Sequence, residues 1–547
     1  MKKPHSAPIF DNQDFPVSVV RVSILKGTGV DIEECKQKPL IGIANAQTDM
    51  NPGHMHLSQL ALRVKEGVHA AGGIPFEFNV PAPCDGLSEG HPAMRYVLAQ
   101  RELIADSIET HARSMGYDAL VMIAGCDKII PGMMMAAARL DRATIFLTGG
   151  PNAWAIRWMP NRQASVDHKD YQDLGLKIST STCSTCGSCE LMGTANTFQC
   201  MAESLGLTLP GTANVPAFLS EKLLVARNTG KRIVQMCEEE LTAKKILTRN
   251  AILNALMIDL AIGGSTNSTL HLPALAHELG FELPWAMFNE YNKKIPTLCA
   301  ISPNGPHGLI DFYSAGGIPA VMKILKDDLH LDSLNVTGQT LAQVIETAEV
   351  KDPKVIHSKE HPVHPEGGTV VLYGNLAPEG AVVKQSAVIP EMRTFTGKAF
   401  ILESEHDALA AFRTGKVRNG MVMVIRNEGP RGGPGMPETL AVTMALDLSG
   451  LKQVALVTDG RFSGASFGPC VGQVSPEAYL GGPIAAIREG DEITIDIPKR
   501  SIHLHLSDAE MQKRLAGHQP QRREIPPGYM RRYITMVSSA AKGAVLG

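Results

Sequence analysis

Two short segments of the chain carry the residue types that bind metals. The first, Gly125-Cys126-Asp127-Lys128-Ile129-Ile130-Pro131-Gly132, sets a thiol, a carboxylate and an amine side by side. The second, Cys183-Ser184-Thr185-Cys186-Gly187-Ser188-Cys189, offers three thiols at close spacing. Thiolates select iron–sulfur clusters, zinc or copper, whereas carboxylates select magnesium, calcium or manganese. A cysteine beside an aspartate therefore suggests two different metals in one pocket. The three thiols also fit a zinc site short of a fourth ligand, or a redox pair at Cys183 and Cys186. The stretch after Cys189 reads as the entry to a helix capped by Thr194 or Asn196. A helix N-terminus lowers the pKa of a nearby thiol and favours the thiolate.

Four other segments offer polar side chains among glycines. Asp85 lies in Cys84-Asp85-Gly86-Leu87-Ser88-Glu89-Gly90-His91, although an Asp-Gly pair is most often a plain turn. Gly432-Gly433-Pro434-Gly435-Met436-Pro437-Glu438 can bring backbone close to a ligand and present Glu438. It also fits a surface turn. Thr458-Asp459-Gly460-Arg461-Phe462-Ser463-Gly464 offers Arg461, suited to bidentate carboxylate binding. It offers Ser463 too, which is a base only where something such as a metal lowers its pKa. A strand ending in an Asp-Gly turn is the plainer reading. Gly263-Gly264-Ser265-Thr266-Asn267 opens a helix whose free N–H groups suit a carboxylate or phosphate, or simply a cap.

The elements that must hold these residues follow from periodicity. Residues 119–124 form an apolar run that reads as a buried strand ending at Cys126. Open α/β sheets place their chemistry at that end of a strand. Strands at 39–44, 119–124 and 143–147 alternate with helices at 57–71 and 107–115. This pattern predicts a parallel sheet covered by helices. A helix-rich stretch covers 248–279, interrupted at 263–267. Residues 1–36 read as an irregular arm, 37–349 as the α/β domain and 350–366 as a polar linker containing Pro353, Pro362 and Pro365. Short β runs at 368–374, 421–425, 453–458 and 492–497 are separated by glycines. They predict a barrel-like or sandwich domain over 367–547.

Bulk numbers bound the class. A chain of 547 residues exceeds one hydrophobic core. It is 44% apolar and 20% charged, with formal net charge −3. No basic excess argues for nucleic acid. No apolar run approaches the ~18–20 residues of a membrane span. The first residues lack the apolar region of a secretory signal. A cytoplasmic protein is expected. Ten cysteines are too sparse for a disulfide scaffold. Isolated Cys35, Cys200, Cys237, Cys299 and Cys470 read as small buried hydrophobes.

Taken together, these segments resemble the dihydroxy-acid dehydratase and 6-phosphogluconate dehydratase family. The resemblance runs from about residue 41 to the C-terminus. It rests on Pro52-Gly53-His54, Asp85-Gly86, the 125–132 segment, Cys189 with Thr194-Ala195-Asn196, 263–267, 432–438 and 458–464 in that order. It implies an α/β N-terminal domain, a C-terminal β-barrel-like domain and a site between them. It implies dehydration of 2,3-dihydroxy acids to 2-keto acids with an iron–sulfur cluster and Mg2+. Cys126 and Cys189 match cluster ligands, and Asp85, Asp127 and Glu438 match magnesium ligands. Lys128 matches a lysine that becomes carbamylated and then also binds magnesium, and Ser463 a general base. Ser265, Thr266, Asn267 and Arg461 are taken as substrate-binding.

The chain departs from the family pattern at three places. Gly53 stands where many members carry a third cluster cysteine. This favours a [4Fe–4S] over a [2Fe–2S] cluster and leaves Cys84 and Cys186 as candidates for the third ligand. Gln473 and Asn427 stand where His and Tyr are frequent. The segments 374–384 and 315–323 are similar to the branched-chain enzymes, so 2,3-dihydroxy-3-methyl acids of valine and isoleucine synthesis are the expected substrates. C5 or C6 aldonates, or phosphogluconate, are the alternative, and a zinc or thiol-redox protein is a third. A homodimer or a dimer of dimers is expected.

Overall fold

The computed structural model describes residues 5–11, 15–153, 183–464, 466–521 and 523–547. Its N-terminal sheet has four parallel strands in the order β2-β1-β3-β4: β1 Leu40–Asn45, β2 Ile74–Asn79, β3 Ala119–Ala124 and β4 Ala143–Thr148. β1, β3 and β4 are buried along their whole length, which is why they read as continuous apolar runs. β2 is the edge strand and its burial is partial. Helices Leu57–Ala70, Arg95–Met115 and Ile129–Leu140 make the crossovers.

The arm differs from expectation. Residues 7–37 form three helices, Ala7–Phe10, Val17–Lys26 and Ile32–Gln37. The middle one is rich in β-branched residues that stay exposed, among them Val17, Val19, Val20 and Ile24. Such a sequence lacks a helical apolar stripe, so it did not read as a helix. All five isolated cysteines are buried.

The C-terminal sheet has eight strands in the order β12-β11-β7-β8-β9-β10-β6-β5. They are β5 Val370–Leu372, β6 Gly380–Val383, β7 Thr394–Leu402, β8 Met421–Ile425, β9 Val454–Thr458, β10 Cys470–Ser475, β11 Glu492–Asp496 and β12 Ser501–Leu504. Tyr373, just after β5, donates its N–H to Arg500 O at 2.9 Å and accepts from Ile502 N at 3.0 Å. Those two bonds join the outer strands, so the sheet nearly closes into a barrel. Two helices, Glu405–Arg413 and Leu440–Ser449, make parallel crossovers between β7, β8 and β9. Between the two sheets, residues 350–366 lie against the α/β domain, where Ile356 bridges Cys299 and His364 bridges Thr297.

The chain ends back on the α/β domain. Arg101 is fully buried there. It donates to Glu102 Oε1 at 2.6 Å and to the carbonyls of Gly543 and Ala544 at 2.9 and 2.8 Å. Arg101→Met should therefore lower unfolding free energy by ~3–5 kcal/mol, because it strands a buried carboxylate. Urea denaturation would show it as a lower midpoint, and an unchanged midpoint would contradict the anchoring role.

Candidate metal and active site

The loops after β1, β3 and β4 meet at the carboxyl edge of the parallel sheet. They touch closely enough that a Cβ on Gly125 would lie 2.8 Å from Gly53 O. His54 joins the loops. Its Nδ1 lies 2.6 Å from Ala46 O, and Gly125 N–H donates to its Nε2 at 3.3 Å. Burial lowers His54 to about 4, so the ring is neutral and structural.

Cys126 and Asp127 follow β3, and Lys128 sits at the start of the next helix. Asp85 opens a short helix after β2, and Glu438 comes from the barrel domain. Oxygens of Asp85, Asp127 and Glu438 lie within 4.8 Å of one another. The Lys128 ammonium is fully buried among them, 2.6 Å from Asp85, 3.3 Å from Asp127 and 3.8 Å from Glu438. Arg461, also fully buried, donates to Glu438 at 2.7 Å and to Asn267 Oδ1 at 2.9 Å. Its Nε donates to Met436 O. Among the described residues, Asp85 Oδ1 and Arg461 Nη2 are buried without a hydrogen-bond partner. Ser463 hydrogen-bonds Glu438.

These charges set one another's protonation. Burial raises Asp127 to about 7, helped by Asp85 and Glu438 and opposed by Lys128. Burial also pushes Glu438 up, but Lys128 and Arg461 outweigh it and hold the carboxyl below the usual glutamate range. For Lys128, burial lowers the ammonium and Arg461 adds to this. Asp85 foremost, then Asp127 and Glu438, overcome both and leave it above the ordinary lysine value.

Cys84, Cys126 and Cys189 approach the same place. Burial holds the Cys126 thiol well up, and Cys84 is its next influence, followed by Asp127. Cys84 is raised to about 11 by burial. Cys189 keeps accessible surface yet lies within dense protein, and this depth lifts it to about 12 with help from Cys183, Asp127 and Cys84. The helix following Cys189 does not lower its pKa, because burial and neighbouring anions dominate. Burial raises Cys183 and Cys186 as well. Burial is the main influence on Cys186, with no other thiol acting on it as Cys84 acts on Cys126.

The residues expected as caps do other work. Helix Thr194–Ser204 begins at Gly193 with no side-chain cap. Thr194 Oγ1 pairs with Ser265 Oγ at 2.8 Å and accepts from Asn267 Nδ2 at 2.9 Å. Asn267 Nδ2 reaches Glu438 at 3.2 Å. Asn196 turns back to the carbonyls of Cys189 and Leu191. Thr266 is held through its carbonyl, which accepts from Gln473 Nε2 at 3.0 Å. Asn427 donates to Glu403 at 2.7 Å.

Two residues at the site were not singled out in the sequence. Asn51 Nδ2 donates to Cys126 Sγ at 3.2 Å. Glu89 is raised to about 10 by burial, then by Glu438, Asp85 and Glu405. Its position one helical turn after Asp85 was the available signal.

Family models match the chain in two blocks. The dihydroxy-acid/6-phosphogluconate dehydratase N-terminal model covers residues 38–344, and the C-terminal model of that name covers 354–544. The chain belongs to this dehydratase family. A protein of Caldanaerobacter subterraneus subsp. tengcongensis named dihydroxy-acid dehydratase is 47% identical, over 96% of both chains. One of the same name from Acetivibrio thermocellus is 46% identical, over 96% of this chain and 97% of its own. Dihydroxy-acid dehydratase 1 of Methanosarcina acetivorans is 45% identical, over 97% and 98%. Among the described residues of this family member, no helix is long and apolar enough to cross a membrane.

A cation entering the Asp85, Asp127 and Glu438 triad must displace any proton on Asp127. Below about pH 7 that proton is present, and above it is gone. The concentration of a divalent cation that half-saturates this triad should therefore fall as pH rises, by up to about tenfold per unit below pH 7, and level off above. A requirement constant from pH 6 to 8 would contradict this.

Proposed function

We propose that this dehydratase converts 2,3-dihydroxy-3-methyl carboxylic acids to 2-keto acids, using an iron–sulfur cluster and Mg2+. This would place it in cytoplasmic valine and isoleucine synthesis. The observation that carries the reading is the joint presence of a buried carboxylate triad and three converging thiols in a chain matched over both family blocks. The donor sets suit both groups. The unpartnered Asp85 Oδ1 is an oxygen left to bind a hard cation, and carboxylates favour magnesium. Cys126 and Cys189 supply soft ligands for iron. Cys84 is our third ligand, since Gly53 offers no thiol and Cys84 acts on both other thiols. A [4Fe–4S] cluster is favoured.

When bound, the cluster supplies a Lewis acid for the C3 hydroxyl, while magnesium supplies the charge that acidifies the C2 proton and the serine hydroxyl. The chain's own residues do the rest. Ser463 Oγ takes the C2 proton, with Glu438 hydrogen-bonded to it as the neighbouring acceptor. Arg461 Nη2 and the Ser265–Asn267 loop hold the substrate carboxylate. Burial excludes water from these charges and strengthens each contact. Carbamylation of Lys128 would exchange the cation among three carboxylates for another oxygen donor.

Three outcomes test the reading. Turnover of 2,3-dihydroxy-3-methylbutanoate should exceed that of a C5 aldonate in kcat/KM, and the reverse order would replace the substrate class. Ser463→Ala should keep its iron and lose ~10²–10⁴ in kcat, the range of a general base. Cys84→Ser should lose iron and visible absorbance while Cys186→Ser keeps both. The opposite pair of results would move the third ligand to Cys186.

A further inference from the structure

Lys384 is buried at 6% exposure and lies outside the charge cluster just described. It follows β6 in the barrel domain. Its ammonium donates to Gly464 O at 2.9 Å, the carbonyl immediately after Ser463. It also reaches Met192 O at 3.5 Å, in the α/β domain three residues after Cys189. One side chain thus touches both the segment carrying Ser463 and the segment carrying Cys189. The Gly464 contact lies within the barrel domain, and the Met192 contact crosses to the α/β domain.

The surroundings leave little slack. A Cβ on Gly464 would lie 2.8 Å from Ser265 Oγ and 3.1 Å from Gly193 Cα. The residues after Lys384 continue the same joint. Ala387 O accepts from Gly468 N at 3.0 Å, and Ser386 Oγ donates to Asn304, which holds Gly263 O at 2.9 Å. Asp259, fully buried and bonded to Ser268 Oγ, is the carboxylate acting on Lys384. Burial pulls the ammonium down to about 7 against that attraction. An apolar residue would fit such a place more cheaply, so a retained lysine calls for a role.

We propose that Lys384 is a positioning residue for Ser463. Its ammonium fixes the Gly464 carbonyl against the Cys189 loop and so sets the distance between the serine hydroxyl and the thiol side of the site. The proposal rests on Ser463 acting as the base. A misplacement of about 1 Å in a reacting group costs on the order of 10²-fold in rate. The loss should fall on kcat, because Lys384 bonds the segments of Ser463 and Cys189 rather than Arg461 or the Ser265–Asn267 loop.

The test compares Lys384→Met and Lys384→Gln with wild type and Ser463→Ala, all purified anaerobically. Iron per chain, kcat, KM and exchange of the substrate C2 hydrogen with deuterated solvent are measured. Lys384→Met should keep its iron, lose ~10²-fold in kcat and in C2 exchange together, and hold KM within about threefold. Lys384→Gln retains an N–H donor and should recover part of the rate. Wild-type kcat in Lys384→Met would overturn the proposal, as would a loss confined to KM. Loss of iron or of the fold in both variants would make Lys384 structural and overturn it too. A fully active Ser463→Ala would instead remove the base reading beneath it. An inactive Ser463→Ala beside an active Lys384→Met would remove only the role of Lys384.

Discussion

Five charges at the junction of two domains, four of them buried and Asp127 partly so, organise this protein. Asp85, Asp127 and Lys128 come from the α/β domain, and Glu438 and Arg461 from the barrel domain. Desolvating each one is costly, so none is tolerable without the others. The carboxylates outnumber the cations, and this excess adds to the burial that raises Asp127. An arrangement that is poor for stability alone becomes favourable once a divalent cation is supplied. The charge pattern thus links the fold of the interface to the chemistry proposed for it.

The two domains contribute different chemistry. The parallel sheet delivers Cys126, Asp127 and Lys128 from the end of β3, where three loops converge around His54. The barrel delivers Glu438, Arg461 and Ser463, with Glu438 bridging Arg461 backbone to backbone. The Ser265–Asn267 loop and Thr194 fill the space between with hydroxyl and amide groups. Polar side chains that could have capped helices instead satisfy this interface. A soft donor set and a hard donor set then lie side by side, as an elimination needs when one group leaves as hydroxide and another as a proton.

Local sequence was most informative where burial was uniform. β3 and β8 were legible to the residue, because fully buried strands show as unbroken apolar runs. The N-terminal helices were not, because their β-branched residues remain exposed and give no stripe. At the site, residue types and glycine-rich segments marked most of the polar positions. Which of them meet was a different matter. The x-x spacing drew attention to Cys186, whereas the fold carries Cys84 toward Cys126 from a distant segment. Asn51 gave no signal of its own, since its importance comes only from a tertiary neighbour.

The central claim is that the carboxylate triad is a single hard-cation site beside the thiols. Mn2+ titration of anaerobically purified, cluster-loaded protein, followed by electron paramagnetic resonance, tests it most directly. The account predicts one tightly bound Mn2+ per chain, its signal broadened by the neighbouring cluster, and loss of that ion in Glu438→Gln. An unchanged Mn2+ stoichiometry in Glu438→Gln, or a bound ion with no sign of the cluster, would contradict it.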